Sequence, residues 1–114
     1  MIYYFNSACT RAHIEFSEQL SLILSRTDAP KRPIAVMCIG SDRSTGDSLG
    51  PMIGYKLSKF CFRNVFIYGS LNNPINATNL ESSIKFINQV HENPYIIAID
   101  ASLGKSEHVG YVTL

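Results

Sequence analysis

A three-layer α/β/α sandwich around a mostly parallel sheet is the fold that this 114-residue sequence predicts. Three observations carry it. Apolar runs of strand length, chiefly Ile34 to Ile39, Val65 to Tyr68 and Tyr95 to Ile99, lack the polar alternation of a half-solvated strand, as strands covered on both faces should. Between them stand segments whose apolar residues recur at three- and four-residue steps, the period of a helix with one buried face. Strand alternating with helix then implies parallel pairing through right-handed crossovers, with helices on both faces of the sheet.

In chain order, residues 2–5 read as a short strand and Asn6 to Thr10 as a turn. Ile14, Leu20, Ile23 and Leu24 predict a first helix from about His13 to Ser25, which the proline-bearing segment from Thr27 to Pro33 ends. Ile34 to Ile39 is the expected central strand, and Gly40 opens a polar loop. From about Asp47 the pattern turns helical, with Leu49, Ile53, Leu57 and Phe60 on one face and an end near Cys61. Pro51 falls in the first turn of that helix, where its missing N–H costs no intrahelical bond. After the strand Val65 to Tyr68 comes a turn-rich stretch from Gly69 to Asn76. Thr78-Asn-Leu-Glu81 has capping-box spacing, and Leu80, Ile84, Ile87 and Val90 supply the buried stripe of a third helix that Asn93-Pro94 stops. Tyr95 to Ile99 ends in Asp100. A polar loop, Ala101 to His108, then leads to a last strand, Val109 to Thr113.

Composition bounds the function classes. With 46% hydrophobic residues, 17% charged residues and a net charge of +1, the chain reads as an ordinary globular protein, neither a disordered tail nor a strongly basic nucleic-acid binder. A single domain over residues 1–114 is expected. The longest apolar runs are too short to cross a bilayer, and the N-terminus lacks the basic start and long apolar region of a signal peptide, so the cytoplasm is the default compartment. Cys9, Cys38 and Cys61 form no CxxC pair. Cys38 lies within a strand pattern and Cys61 at the end of a helical one, which predicts buried reduced thiols rather than disulfides or zinc ligands.

In parallel sheets, ligands bind outside the carboxyl ends of the strands. The loops after Ile39, Tyr68 and Ile99 all leave that edge, so Asp42, Asp47, Asn72, Asn73 and Asp100 can converge there, with Arg43, Ser44 and Thr45 beside them as further candidate substrate contacts. Two carboxylates at such an edge suit general acid and base work, because mutual repulsion keeps one protonated while the other stays ionised. They could equally hold a divalent metal, although His108 is the only histidine in the Asp100 loop and no complete ligand set is legible. For Asp47, helix capping is an equal alternative. Asp100 closes an apolar strand, where a carboxylate without a partner would be desolvated, and this favours a functional role.

Other chemistries fit less well. Gly40 to Gly50 is rich in glycine and hydroxyls, yet five residues separate Gly40 from Gly46 and an aspartate stands where a phosphate-binding loop needs lysine. Arg43 could hold an anion or a peptide carboxylate, or simply pair with Asp42. Neither a serine elbow nor an accessible cysteine with a histidine base is present. Tyr3, Tyr4, Phe60, Phe62, Phe66 and Phe86 read as core or surface packing.

Three segments together carry a resemblance: Ile39-Gly-Ser-Asp-Arg-Ser-Thr-Gly-Asp-Ser-Leu-Gly-Pro51, Tyr68-Gly-Ser-Leu-Asn-Asn-Pro74 and Ile97-Ala-Ile-Asp-Ala-Ser-Leu-Gly104. The chain resembles the YyaC-type sporulation proteins of spore-forming Firmicutes, densely over Pro33 to Leu114 and more weakly before. That family is similar to the germination protease that degrades small acid-soluble spore proteins and, more distantly, to the hydrogenase-maturation endopeptidases, which implies an α/β/α sandwich in a sporulating cell. The protease's two catalytic aspartates lie in Pro-Asp-Ala-Leu-Gly-Pro and Ile-Asp-Ala segments, which match Asp47 and Asp100 here. In the maturation enzymes the corresponding acidic positions are nickel ligands, joined by a histidine further along; His108 stands too close to Asp100 to be carried over as that ligand. The resemblance also implies a longer domain, with a further strand and helix beyond Leu114, so a C-terminally truncated form is expected. Apolar surface left uncovered by that helix would then favour homo-oligomers or marginal stability.

The leading expectation is a peptidase-type sporulation protein acting on a peptide or protein through Asp47 and Asp100. The competing one is a non-catalytic relative that binds a peptide or protein at the same sheet edge. A third is an anion- or nucleotide-binding domain built on Arg43 and the helix start.

Overall fold

The computed structural model describes residues 1–114, in the order β1 (Tyr4–Asn6), α1 (Ala12–Ser25), β2 (Ile34–Cys38), α2 (Leu49–Leu57), β3 (Val65–Tyr68), α3 (Leu80–Val90), β4 (Tyr95–Ile99) and β5 (Tyr111–Thr113). Two compact units result, one formed by Lys31–Ala101 and the other by Met1–Pro30 with Ser102–Leu114.

The first unit is the α/β/α sandwich. β2 lies between β3 and β4 and pairs in parallel with both, Val36 standing opposite Ile67 on one side and Ile97 on the other. A β-strand sends alternate side chains to opposite faces, so Ala35 and Met37 look one way and Val36 and Cys38 the other. On the first face α3 lays down Ile87, with Ile84 and Leu80, to close a core with Ala35, Met37 and Ile75. α2 takes the opposite face. There Gly54 brings the helix so near the sheet that a Cβ would lie 1.9 Å from the Gly69 carbonyl oxygen and 3.3 Å from Cys38 Cβ. Helices on opposite faces follow from the order β3-β2-β4: the chain crosses to one side of β2 and then to the other, and right-handed crossovers in opposite directions put their helices on opposite faces.

At the amino edge of this sheet the chain is held by polar contacts. Asn64 and Asn93 adopt left-handed conformations, with φ of 59° and 48°, immediately before β3 and before Pro94. Arg32 donates to the Asn93 and Pro94 carbonyls at 2.9 and 3.0 Å, which fixes where β4 starts. At the C-terminal end of α3, the buried His91 ring meets the Tyr68 hydroxyl through Nε2 and packs against Phe66 at 4.2 Å between ring centroids. Burial raises the Tyr68 pKa from its ordinary value.

In the second unit β1 and β5 pair antiparallel, Tyr4 opposite Thr113, as a separate two-stranded sheet. Reciprocal bonds between Tyr3 and Leu114, both 2.9 Å, extend the ladder, and Tyr4 stacks on His108 with centroids 4.7 Å apart. Phe5 meets Phe16 of α1 edge-on at 5.4 Å. The sequence predicted that these terminal strands belong to the alternating strand–helix pattern of a single mostly parallel sheet; instead they answer each other's hydrogen bonds, because an antiparallel partner was available from the opposite end of the chain.

Several local expectations are corrected. α2 ends at Leu57, not near Cys61, and Cys61 is exposed in the connection to β3; Cys9 is exposed as well, while Cys38 alone is buried, and all three are free thiols. The capping box at Thr78-Asn-Leu-Glu81 does not form. Asn79, not Thr78, holds the cap position and no side chain caps it, because the Thr78 hydroxyl is drawn back to the Asn76 side chain. Of the aromatics read as core or surface packing, Phe60, Phe62, Phe66 and Phe86 take the surface alternative.

Candidate functional site

The chain leaves β2 through a loop that doubles back on itself. Gly40 makes this possible: its φ is +151°, and a Cβ there would lie 2.2 Å from the Asp47 carbonyl oxygen and 2.7 Å from Pro51 Cδ. The Ser41 N–H donates to that Asp47 carbonyl at 2.9 Å, and the Ser41 hydroxyl donates to Asp47 Oδ2 at 2.9 Å. Residues 45–47 form a single 3-10 turn before α2. Asp47 is therefore not the helix cap that its position suggested. Ser48 occupies the cap position, and no side chain caps the helix. One carboxylate oxygen of Asp47 is held by Ser41, which orients the other.

Beyond β3 the chain turns at Gly69 and returns to the sheet edge at Ile75. Ile75 forms an isolated parallel bridge with Ile39 and accepts the Gly40 N–H at 2.8 Å, while the Ile39 N–H donates to Ile99 at 2.8 Å. These bonds carry the sheet one residue past β2 on both sides. They bring Asn76 and Asp100 to the same end as Gly40. The result is a cleft of about 290 Å³ lined by Ile39, Gly40, Asp47, Asn76, Ala77, Leu80 and Asp100. It sits where the strand order reverses about β2, the switch point at which open parallel sheets bind their ligands.

Of the residues expected at this edge, Asp47 and Asp100 come together in the cleft. Asp42, Arg43, Ser44 and Thr45 lie on the exposed loop outside it. Neither the Asp42 nor the Arg43 side chain makes an ion pair, so the pairing of the two with each other is not formed. Asn72 and Asn73 are exposed in a tight turn, where the Asn73 N–H donates to the Ser70 hydroxyl at 3.2 Å, and they do not reach the cleft. Asp100 is exposed and makes no hydrogen bond or ion pair, so desolvation, the ground on which the sequence pointed to it, does not apply; its convergence with Asp47 replaces that ground. Asn76 and Ala77 were missed. Their only sequence signal is the lone Ile75 in a run of turn residues, the residue that docks the segment on the sheet.

No group of three or more His, Cys, Asp or Glu side chains lies close enough to hold an ion, and His108 is engaged with the Tyr4 and Tyr111 rings. Two carboxylates fall short of the ligand set of a nickel or other divalent site.

Residues 4–114 match the family described as Protein of unknown function (DUF1256). The chain belongs to this family. It is similar to the uncharacterized protein YyaC of Bacillus subtilis (strain 168), at 45% identity over 96 residues, which is 82% of this chain and 47% of that protein. The chain thus spans about half the length of the curated relative it matches. No solved structure matches. The matched DUF1256 region includes every residue that lines the cleft, from Ile39 to Asp100. No helix of the chain is long and apolar enough to cross a membrane.

Proposed function

We propose that this DUF1256 chain is part of a sporulation protein related to the spore germination protease, and that it hydrolyses a peptide bond with Asp47 and Asp100. The observation that carries the reading is the convergence of these two carboxylates, far apart in sequence, on one cleft at the switch point of the sheet. Their segments are also the two that match the protease's catalytic aspartates. In this mechanism one carboxylate takes a proton from water as the water oxygen bonds to the carbonyl carbon. The other, protonated, gives its proton to the departing nitrogen. Ser41, bonded to Asp47 Oδ2, holds that carboxylate in place. The partner is then a peptide or protein of the sporulating cell's cytoplasm.

The test is hydrolysis of a peptide library by the wild type, Asp47→Asn and Asp100→Asn. Each substitution is expected to lower turnover by roughly 10²-fold or more, since each removes one acid–base group. Full activity in both variants would sink the acidic-pair mechanism. A second reading is favoured by the exposure of both carboxylates: an open cleft that does not exclude water suits a non-catalytic module that binds a peptide. Peptide binding without turnover in the wild type, surviving both substitutions, would support that reading.

A further inference from the structure

Asn76 is the single residue lining the cleft whose side chain carries an N–H donor; the other polar side chains there are the two aspartates. Its conformation is tightly set. Oδ1 accepts from the Thr78 backbone N–H at 3.0 Å and from the Thr78 hydroxyl, and the Asn76 N–H donates to Asn79 Oδ1 at 2.8 Å. Asn79 in turn donates from Nδ2 to the Pro74 carbonyl at 3.0 Å. A backbone N–H can only donate, so the Thr78 bond decides which end of the Asn76 carboxamide is oxygen. The nitrogen stands at the other end, with no acceptor in the chain. The Gly40 N–H, the other candidate donor beside the aspartates, is already committed to Ile75.

Asn76 thus lines the same cleft as the two aspartates, with its carboxamide held by Thr78 and its Nδ2 left without an acceptor in the chain. We propose that Asn76 Nδ2 donates to the carbonyl oxygen of a peptide bond bound there, an assignment that rests on the peptidase reading for its chemistry. Water loses a proton to one aspartate while its oxygen bonds to the carbonyl carbon, and the carbonyl electron pair moves onto oxygen, where Nδ2 stabilises it. The pair then returns, the C–N bond breaks, and the nitrogen takes the proton of the other aspartic acid. A carboxyl product and an amine leave. Because Thr78 holds the amide before substrate arrives, no reorganisation is needed as charge develops on the oxygen.

Two readouts on the 114-residue chain test this. Titration of the 15N-labelled chain with N-acetyl-trialanine methylamide follows the Asn76 side-chain NH2 resonances, and peptide-library hydrolysis separates kcat from KM. The NH2 resonances are expected to move on saturation. Asn76→Ala and Asn76→Asp should both lower kcat by about 10²-fold with KM little changed, whereas a pure charge effect would act in the aspartate variant alone. Thr78→Val, which removes the orienting hydroxyl and retains the backbone bond, should give a smaller loss in kcat. Resonances that stay fixed, or a kcat unchanged in Asn76→Ala, would overturn the assignment. If the wild type hydrolyses nothing while the Asn76 resonances move with peptide, the peptidase reading fails and the carbonyl contact stands. If both Asn76 variants fail to fold, the wild-type resonances and Thr78→Val decide.

Discussion

Gly40 shows how one residue sets the site. Its φ of +151° and the 2.2 Å gap between a built Cβ and the Asp47 carbonyl oxygen leave room for no side chain, and the Ser41–Asp47 bonds depend on that close return. Gly40→Ala is expected to cost about 1–3 kcal/mol and to move Asp47 out of the cleft, so that peptide turnover falls with stability. Urea unfolding and the peptide assay together check this, and an unchanged midpoint would contradict it. The same residue scale explains why only part of the site was legible. Asp47 and Asp100 stood out as carboxylates at predicted strand and helix ends. Asn72 and Asn73 were picked out and Asn76 was not; Asn76 reaches the cleft because Ile75, its neighbour, bridges to Ile39 across the sheet.

At the scale of elements, β3 and β4 begin and end where the apolar runs do, although only β2 between them is buried along most of its length, and Phe66 of β3 and Ala98 of β4 are exposed. α3 carries the clearest periodicity, and its contribution to the core can be measured. Ile87 is 1% exposed, and Ile87→Ala is expected to lose about 2–5 kcal/mol in chemical denaturation, while a loss below about 1 kcal/mol would show that the α3 face is not the core. The opposite face gives a pH test. Burial pushes the Cys38 thiol from 9.0 up to about 11, which favours the neutral thiol in the folded chain. Below about pH 9 the thiol is protonated in both states and the stability is intact. As pH rises through the window from 9 to 11 the unfolded chain ionises first, so stability falls, by up to about 3 kcal/mol. Unfolding followed across this window in wild type and Cys38→Ala checks the sign: the decline should be shallower in the variant. Helix boundaries were less legible than strands. The start of α3 was misplaced because Asn76, Thr78 and Asn79 bond among themselves instead of forming the capping box.

For the whole molecule, large apolar side chains stand exposed at the surface. Phe60, Phe62, Phe86 and Val90 are 63%, 45%, 50% and 54% exposed. Self-association at micromolar concentration is the expected outcome in sedimentation velocity, and a stable monomer would count against it. The strand–helix alternation, the apolar character of β2, β3 and β4 and the buried stripe of α3 could be read from the amino-acid order, because each depends on side chains within one or two turns or along one strand. Membership of the α/β class followed from them. The pairing of β1 with β5, the order β3-β2-β4, the return of Asp47 onto Gly40 and the arrival of Asn76 beside Asp100 were decided in three dimensions. Each is made by backbone hydrogen bonds or close approaches between residues that carry no mark of their partner, so only the folded chain could assign them.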